Sequence, residues 1–223
     1  MQYLVVVAHP DDEVLGAGAT IQKLASEGHA VAVAFMDGNA AARKNLSQTL
    51  KEDEQKALSL LGVSKVYSAS FPNIKMNTVP HLELVQFIER CIEDCGAEAI
   101  ITHHPTDTNN DHVMTAQAVQ AACRLFQRRE GLPSLRRVLF MEVPSSTEWS
   151  LDASSNRFMP NLFVEIGEER LTQKIKALEA YQGVIRPYPH PRSVEALRGL
   201  AAYRGAQAGC NYAEAFEIVF ERG

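Results

Sequence analysis

Short apolar runs alternate along the chain with longer stretches in which apolar residues return every three or four positions. Leu4 to Ala8 is a β-branched, wholly apolar run, the pattern of a strand buried on both faces. From Glu13 to Glu27, Ala, Leu and Ile recur at helical spacing, and Gly28 fits a helix C-cap. The same reading predicts strands at Ala30–Met36, Lys65–Ala69, Ala99–Thr102 and Val138–Val143. It predicts helices over Ser47–Leu61, Leu82–Cys95 and His112 to about Gln127. The last third is less regular: a strand at Leu162–Ile166, helices over Glu168–Tyr181 and Ser193–Ala208, and a closing strand at Phe216–Phe220. Between the last two helices, Pro187, Pro189 and Pro191 make Gly183 to Ser193 a loop.

Strands alternating with helices imply right-handed crossovers and a mostly parallel sheet covered on both faces. The expected architecture is therefore α/β, a Rossmann-like three-layer sandwich. No repeat or interdomain linker interrupts it, so residues 1–223 are read as one domain, a length that buries a sizeable core. Composition changes little: 46% hydrophobic and 22% charged residues are ordinary globular values. A net charge of −5 speaks against a nucleic-acid partner, and no apolar stretch reaches the ~20 residues of a membrane span. The first residues lack the basic leader of a signal peptide. Cys91, Cys95, Cys123 and Cys210 form no CxxC pair, which points to a reducing, cytoplasmic setting. Cys91 and Cys95 read as buried small apolar residues rather than metal ligands.

Chemistry concentrates at two strand ends. His9 follows the first strand, and Asp11-Asp12-Glu13 opens the next helix. One acid would suffice to cap that helix and complement its dipole. Three in a row repel one another, and a divalent cation would remove that conflict. The fourth strand ends in His103-His104-Pro105-Thr106-Asp107-Thr108-Asn109-Asn110-Asp111-His112. Alone, that run is equally well a hydrogen-bonded loop in which Asp111 or Asn110 caps a helix. If the first and fourth strands are neighbours at the switch point of the sheet, both clusters face one crevice. A His/Asp pair plus a further His then suits catalytic zinc, with a position left for water.

The run AHPDDE-x-x-G at Ala8 to Gly16, followed by Asp111-His112, resembles the LmbE-like or PIG-L superfamily of zinc-dependent N-deacetylases. Glu142 to Trp149, Pro160-Asn161, Pro189 to Ser193, and Arg204-Gly205 with Ala213 to Phe216 resemble one branch of it. The resemblance implies removal of an acyl group, usually acetyl, from the nitrogen of an amino sugar or nucleotide sugar by a metal-activated water. It implies His9, Asp12 and His112 as ligands of zinc, or of another divalent ion such as iron, and Asp11 as the general base. Glu13 then supports the ligands or the helix dipole, and Asp111 orients a histidine or tunes the base. Many relatives carry a histidine where this chain has Asn109, which donates a hydrogen bond but cannot shuttle a proton. The missing role falls to His190, His104, or the bound water with Asp11. Some relatives complete their site with a histidine from an adjacent subunit, so a homo-oligomer such as a trimer or hexamer is expected. His190 reads equally well as an exposed loop residue, and Arg192 as a substrate contact or a partner for an acid.

Asp37-Gly38 is a turn near the crevice or a substrate contact. Trp149 is a stacking platform for a sugar or, by a narrow margin, a core residue. Lys51 to Glu54 reads as a solvated helix face. Three other readings compete: a metal amidase on a non-sugar amide, a non-catalytic Rossmann-type binding module, and magnesium-dependent phosphoryl transfer. The first shares its ligands with the deacetylase, the second lacks a GxGxxG phosphate turn, and the third fits poorly with histidine ligands.

Overall fold

A computed structural model describes residues 1–38, 50–151 and 157–223. Its strands are β1 Gln2–Val7, β2 Ala30–Phe35, β3 Lys65–Ser68, β4 Ala99–His103, β5 Arg137–Met141, β6 Leu162–Glu165 and β7 Ala213–Glu221. Its helices are α1 Asp12–Ser26, α2 Leu50–Leu61, α3 His81–Cys95, α4 Asn110–Ala122, α5 Gly167–Ala180 and α6 Val194–Ala208. The start of α2 expected at Ser47 lies outside the described residues. The single helix expected from His112 to Gln127 is shorter: α4 stops at Ala122, and a separate 3₁₀ turn covers Leu125–Gln127.

The strands form one sheet in the order β3-β2-β1-β4-β5-β7-β6. The first five are parallel, and β7 runs antiparallel between β5 and β6. This is the expected mixed α/β sandwich with a mostly parallel sheet. Strand alternation sends Tyr3, Val5 and Val7 into the layer built with α1, α2 and α5, and Leu4, Val6 and Ala8 into the layer built with α3 and α4. Because β1 is covered on both faces, it can be apolar throughout.

The chain leaves β1 toward β2 and β3, then returns to the other side of β1 as β4, with Tyr3 opposite Ala99 and Val6 opposite Thr102. That reversal places the C-terminal ends of β1 and β4 side by side, where open α/β sheets form their crevice. Two glycines of the sequence motifs hold neighbouring elements close. A Cβ on Gly16 would sit 2.4 Å from Met141 Sδ, so the Met141 side chain of β5 would have to move aside. A Cβ on Gly205 would lie 2.6 Å from the Cys210 carbonyl oxygen. Cys91 is buried in the α3–α4 layer, and the four cysteines are free thiols. In the segment Lys51 to Glu54, Asp53 and Glu54 are buried, so that helix face is only partly solvated.

Candidate metal centre

Asp12 is the first residue of α1, and its carboxylate is the focus of the site. Its Oδ2 accepts the His9 backbone N–H at 3.0 Å and lies 3.3 Å from His9 Nδ1 and 3.2 Å from His112 Nε2. One ligand atom each from His9, Asp12 and His112 fall within 4.8 Å of one another, all on buried residues. His9 enters from the turn after β1, and His112 from the first turn of α4 beyond β4. The two motifs, a hundred residues apart, therefore meet as the switch point requires.

Each histidine is held from behind by its own carboxylate. Asp111 Oδ2 lies 3.0 Å from His9 Nε2 and also accepts the Ile74 backbone N–H at 2.6 Å, while Oδ1 accepts Met76 N–H at 3.0 Å. Asp107 Oδ2 lies 3.2 Å from His112 Nδ1 and accepts from Thr147 Oγ1 at 2.7 Å. Its Oδ1 accepts the Asn109 N–H at 2.8 Å and the Ser146 hydroxyl. These contacts set which ring nitrogen is free to face Asp12: Nδ1 of His9 and Nε2 of His112.

Without a cation the cluster holds protons instead. Burial opposes a charged His9, but hydrogen bonds to Asp111 and Asp12 outweigh it and raise its pKa to about 9. Burial likewise opposes charge on His112, yet Asp12 and Asp107 raise it to about 10. Burial also works against an ionised Asp12, and the adjoining His112 and His9 still hold it well below the usual carboxylate range. Protons thus sit between these groups where a divalent cation would satisfy the same nitrogens and oxygen. A two-nitrogen, one-oxygen donor set with carboxylate-backed histidines fits zinc, and fits ferrous iron as well.

Asp11 precedes α1 at φ 102°, a conformation costly for a residue with a Cβ. Glu13 holds it there. Its Oε2 accepts the Asp11 N–H at 3.0 Å, and its Oε1 accepts the Tyr181 hydroxyl at 2.7 Å. Burial, with the charges of Asp11 and Asp12, raises the Glu13 pKa to about 8. Asp11 Oδ2 lies 3.4 Å from Arg192 Nη1. Asp11, Asp12, Asn109 and Arg192 line a cleft of about 490 Å³ with His9 and His112. Asn109 Oδ1 caps α4 by accepting the Asp111 N–H at 2.9 Å.

The structure separates the remaining candidates by where they lie. His104 is buried away from the cleft, 3.4 Å from Glu217 Oε2 and edge-on to Phe140 and Phe158. The histidine that reaches the site is His103, which stacks on His112 at 3.8 Å between ring centroids. Its Nε2 accepts the Ala8 N–H at 2.9 Å, its buried Nδ1 has no hydrogen-bond partner among the described residues, and burial lowers its pKa to about 3. His190 is exposed, and its Nδ1 accepts the Arg192 N–H at 3.0 Å; it does not line the cleft of its own chain. Trp149 is 56% exposed, not a core residue, and it also lies outside the lining. Asp37 is buried and accepts from Asn73 Nδ2 at 2.8 Å, so it supports a cleft residue from behind.

The family model for PIG-L, described as GlcNAc-PI de-N-acetylase, matches residues 4–123, which include both motifs. The chain belongs to the PIG-L family. An uncharacterized deacetylase, YaiS of Escherichia coli K12, is 29% identical over 188 residues, covering 80% of this chain and 89% of that one. The N,N'-diacetylchitobiose deacetylase of Pyrococcus horikoshii superposes with a TM-score of 0.79 at 21% identity, covering 98% and 83%. The 4-carboxy-2-hydroxymuconate hydratase GalB of Pseudomonas putida KT2440 superposes with a TM-score of 0.80, also at 21% identity, covering 100% and 97%. Both structures share the fold. That one is a hydratase shows that activity has to be argued from the site.

Proposed function

We propose that this PIG-L family member is a metal-dependent hydrolase that removes an N-acetyl group from an amino sugar or amino-sugar conjugate. The observation that carries this reading is the convergence of His9 Nδ1, His112 Nε2 and Asp12 Oδ2, with Asp11 in the same cleft wall. When bound, the ion supplies a Lewis acid that acidifies water and polarises the amide carbonyl. Zinc suits the donor set, and ferrous iron is the alternative. Asp107 and Asp111 fix the two rings, so the ligand nitrogens need not reorganise.

Asp11 acts as the base that takes the proton of the attacking water. Asp11 is part of the cleft wall, and its backbone N–H is held by Glu13. Apart from the proposed ligands His9 and His112, the described lining offers no histidine to protonate the leaving nitrogen, and Asn109 stands where many relatives carry one. Asp11 therefore returns the proton it has taken. No helix among the described residues is long and apolar enough to cross a membrane. The free thiols support a cytoplasmic setting.

An amine-release screen of the metal-loaded protein against N-acetylated amino sugars and nucleotide sugars tests this directly. Release is expected from at least one of them, stopped by a chelator and restored by zinc or iron. Asp11→Ala is expected to keep the metal and lose roughly 10²–10⁴ of turnover, the share of a general base. His112→Ala is expected to lose metal and turnover together. Near-normal turnover in Asp11→Ala, or no release from any sugar, overturns the reading.

A further inference from the structure

Arg192, in the proline-rich loop, and Arg204, in α6, are used differently. The fork of Arg204 is occupied: Nε donates to Glu142 Oε1 at 2.8 Å, Nη2 to Glu142 Oε2 at 2.7 Å, and Nη1 to Gln207 Oε1 at 2.9 Å. Arg192 has one firm contact, from Nε to Ser145 Oγ at 2.6 Å. Its Nη1 is 3.4 Å from Asp11 Oδ2, near the outer limit of a hydrogen bond. The other Nη hydrogens have no protein acceptor among the described residues. The side chain is 27% exposed and is the only guanidinium or ammonium group in the described cleft lining.

The position is nevertheless built. The Arg192 N–H is held by His190 Nδ1, and the next residue, Ser193, is fully buried and caps α6 by accepting the Ala196 N–H at 3.1 Å. Ser145 sits at φ 74°, with its own N–H donated to Glu148 Oε1 at 2.6 Å. A strained serine, fixed by an acid, thus holds the Nε side of a guanidinium whose other edge faces the cleft. Such an edge accepts an oxyanion through two parallel N–H···O bonds, a geometry that lysine cannot supply.

We propose that Arg192 anchors an anionic substituent, so that the preferred substrate is an N-acetylated amino sugar bearing a phosphate or a carboxylate. This rests on the deacetylase reading and narrows its substrate class. The anion takes the Nη edge, and the N-acetyl group is thereby presented to Asp11 and the ligand cluster from a fixed point.

The test uses metal-loaded wild-type protein, Arg192→Gln and Arg192→Lys, with N-acetylglucosamine, N-acetylglucosamine 6-phosphate and N-acetylmuramic acid. Binding of the same three sugars is measured by calorimetry in an Asp11→Asn background with and without Arg192→Gln. At least one anionic sugar should exceed the neutral one tenfold or more in kcat/KM, mostly through KM, and the favoured arm identifies phosphate or carboxylate. Arg192→Gln should remove that preference, and Arg192→Lys should keep only part of it. An anionic preference that survives Arg192→Gln, an equal loss for neutral and anionic sugars, or no preference in either arm overturns the anchor. If no sugar is hydrolysed but calorimetry shows Arg192-dependent binding of an anionic one, the anchor stands and the deacetylase reading fails. If the neutral sugar is hydrolysed with no anionic preference, the reverse holds.

Discussion

Helix α1 touches two buried clusters of charge, and they are built on different principles. Midway along it, Lys174 Nζ donates to the Leu15 carbonyl at 2.8 Å and to Glu214 Oε1 at 2.7 Å. Glu214 accepts the Ala19 and Thr20 N–H groups at 3.1 and 2.7 Å. One cation meets one anion, and backbone groups of the helix supply the remaining bonds. At the N-terminus of the same helix, Asp11, Asp12 and Glu13 are buried with Asp107 and Asp111; among the described residues no lysine joins them, and Arg192 lies 3.4 Å from Asp11. Three histidine rings crowd Asp12 Oδ2, and a buried His103 nitrogen has no partner among the described residues. The first cluster is a closed ion pair of one lysine and one glutamate, whereas the second gathers histidine nitrogens and a carboxylate oxygen within 4.8 Å of one another. Buried charge therefore marks a site here where ligand atoms converge, and not where a single ion pair closes on itself.

The largest effect on this comparison should come from Lys174→Met. Removing one member leaves Glu214 buried and uncompensated, a loss of about 3–5 kcal/mol of stability by denaturant unfolding. The double change Lys174→Met with Glu214→Leu should recover much of that loss. Metal stoichiometry of the folded protein should stay near wild type in both. If folded Lys174→Met fails to bind metal, the two clusters are coupled through α1 and the distinction collapses.

Next in size is Asp107→Asn. Asp107 takes no place among the three converging ligands, yet it holds His112 Nδ1 and is itself held by Asn109, Ser146 and Thr147. Loss of such an orienting carboxylate typically weakens metal affinity 10–100-fold. A competition titration with a chromogenic chelator reads this without turnover. Unchanged affinity would reduce Asp107 to a loop-bracing residue.

The two rings also show how far the sequence could be read. The order of strands and helices follows from periodicity, a shared crevice for the two motifs from their places at strand ends, and the choice of His9, Asp12 and His112 within them from the family resemblance. Asp107 was visible only as one acid in a crowded run. Its partners Ser146 and Thr147 come from the loop after β5, and no local spacing links them to it. The choice between His103 and His104 depends on strand parity. Consecutive residues at the end of β4 point to opposite faces, and the sequence does not say which face opens on the cleft. Trp149 departs from the core placement for a related reason, since loop residues carry no periodicity to reveal burial, and the same lack left His190 open between a loop and a site role.

The smallest effect is the most diagnostic of how the ligand cluster is held. The non-glycine residues with positive φ among those described are Asp11, Ile74 and Ser145, and all three line the cleft. None lies near Lys174 or Glu214. Ile74, at φ 57°, is β-branched and 55% exposed, so packing does not explain its conformation. Its N–H donates to Asp111, which holds His9, and the strain is retained for that contact. Left-handed backbone costs a non-glycine residue about 1–2 kcal/mol, and glycine returns about 0.5–1 kcal/mol of that as unfolded-chain entropy. Ile74→Gly should therefore be more stable by about 0.5 kcal/mol, a rise in Tm of roughly 1–2 °C. Ile74→Ala should show no such gain. A loss of more than about 1 kcal/mol in Ile74→Gly would mean that the side chain itself is bound, and that strain does not separate the two clusters.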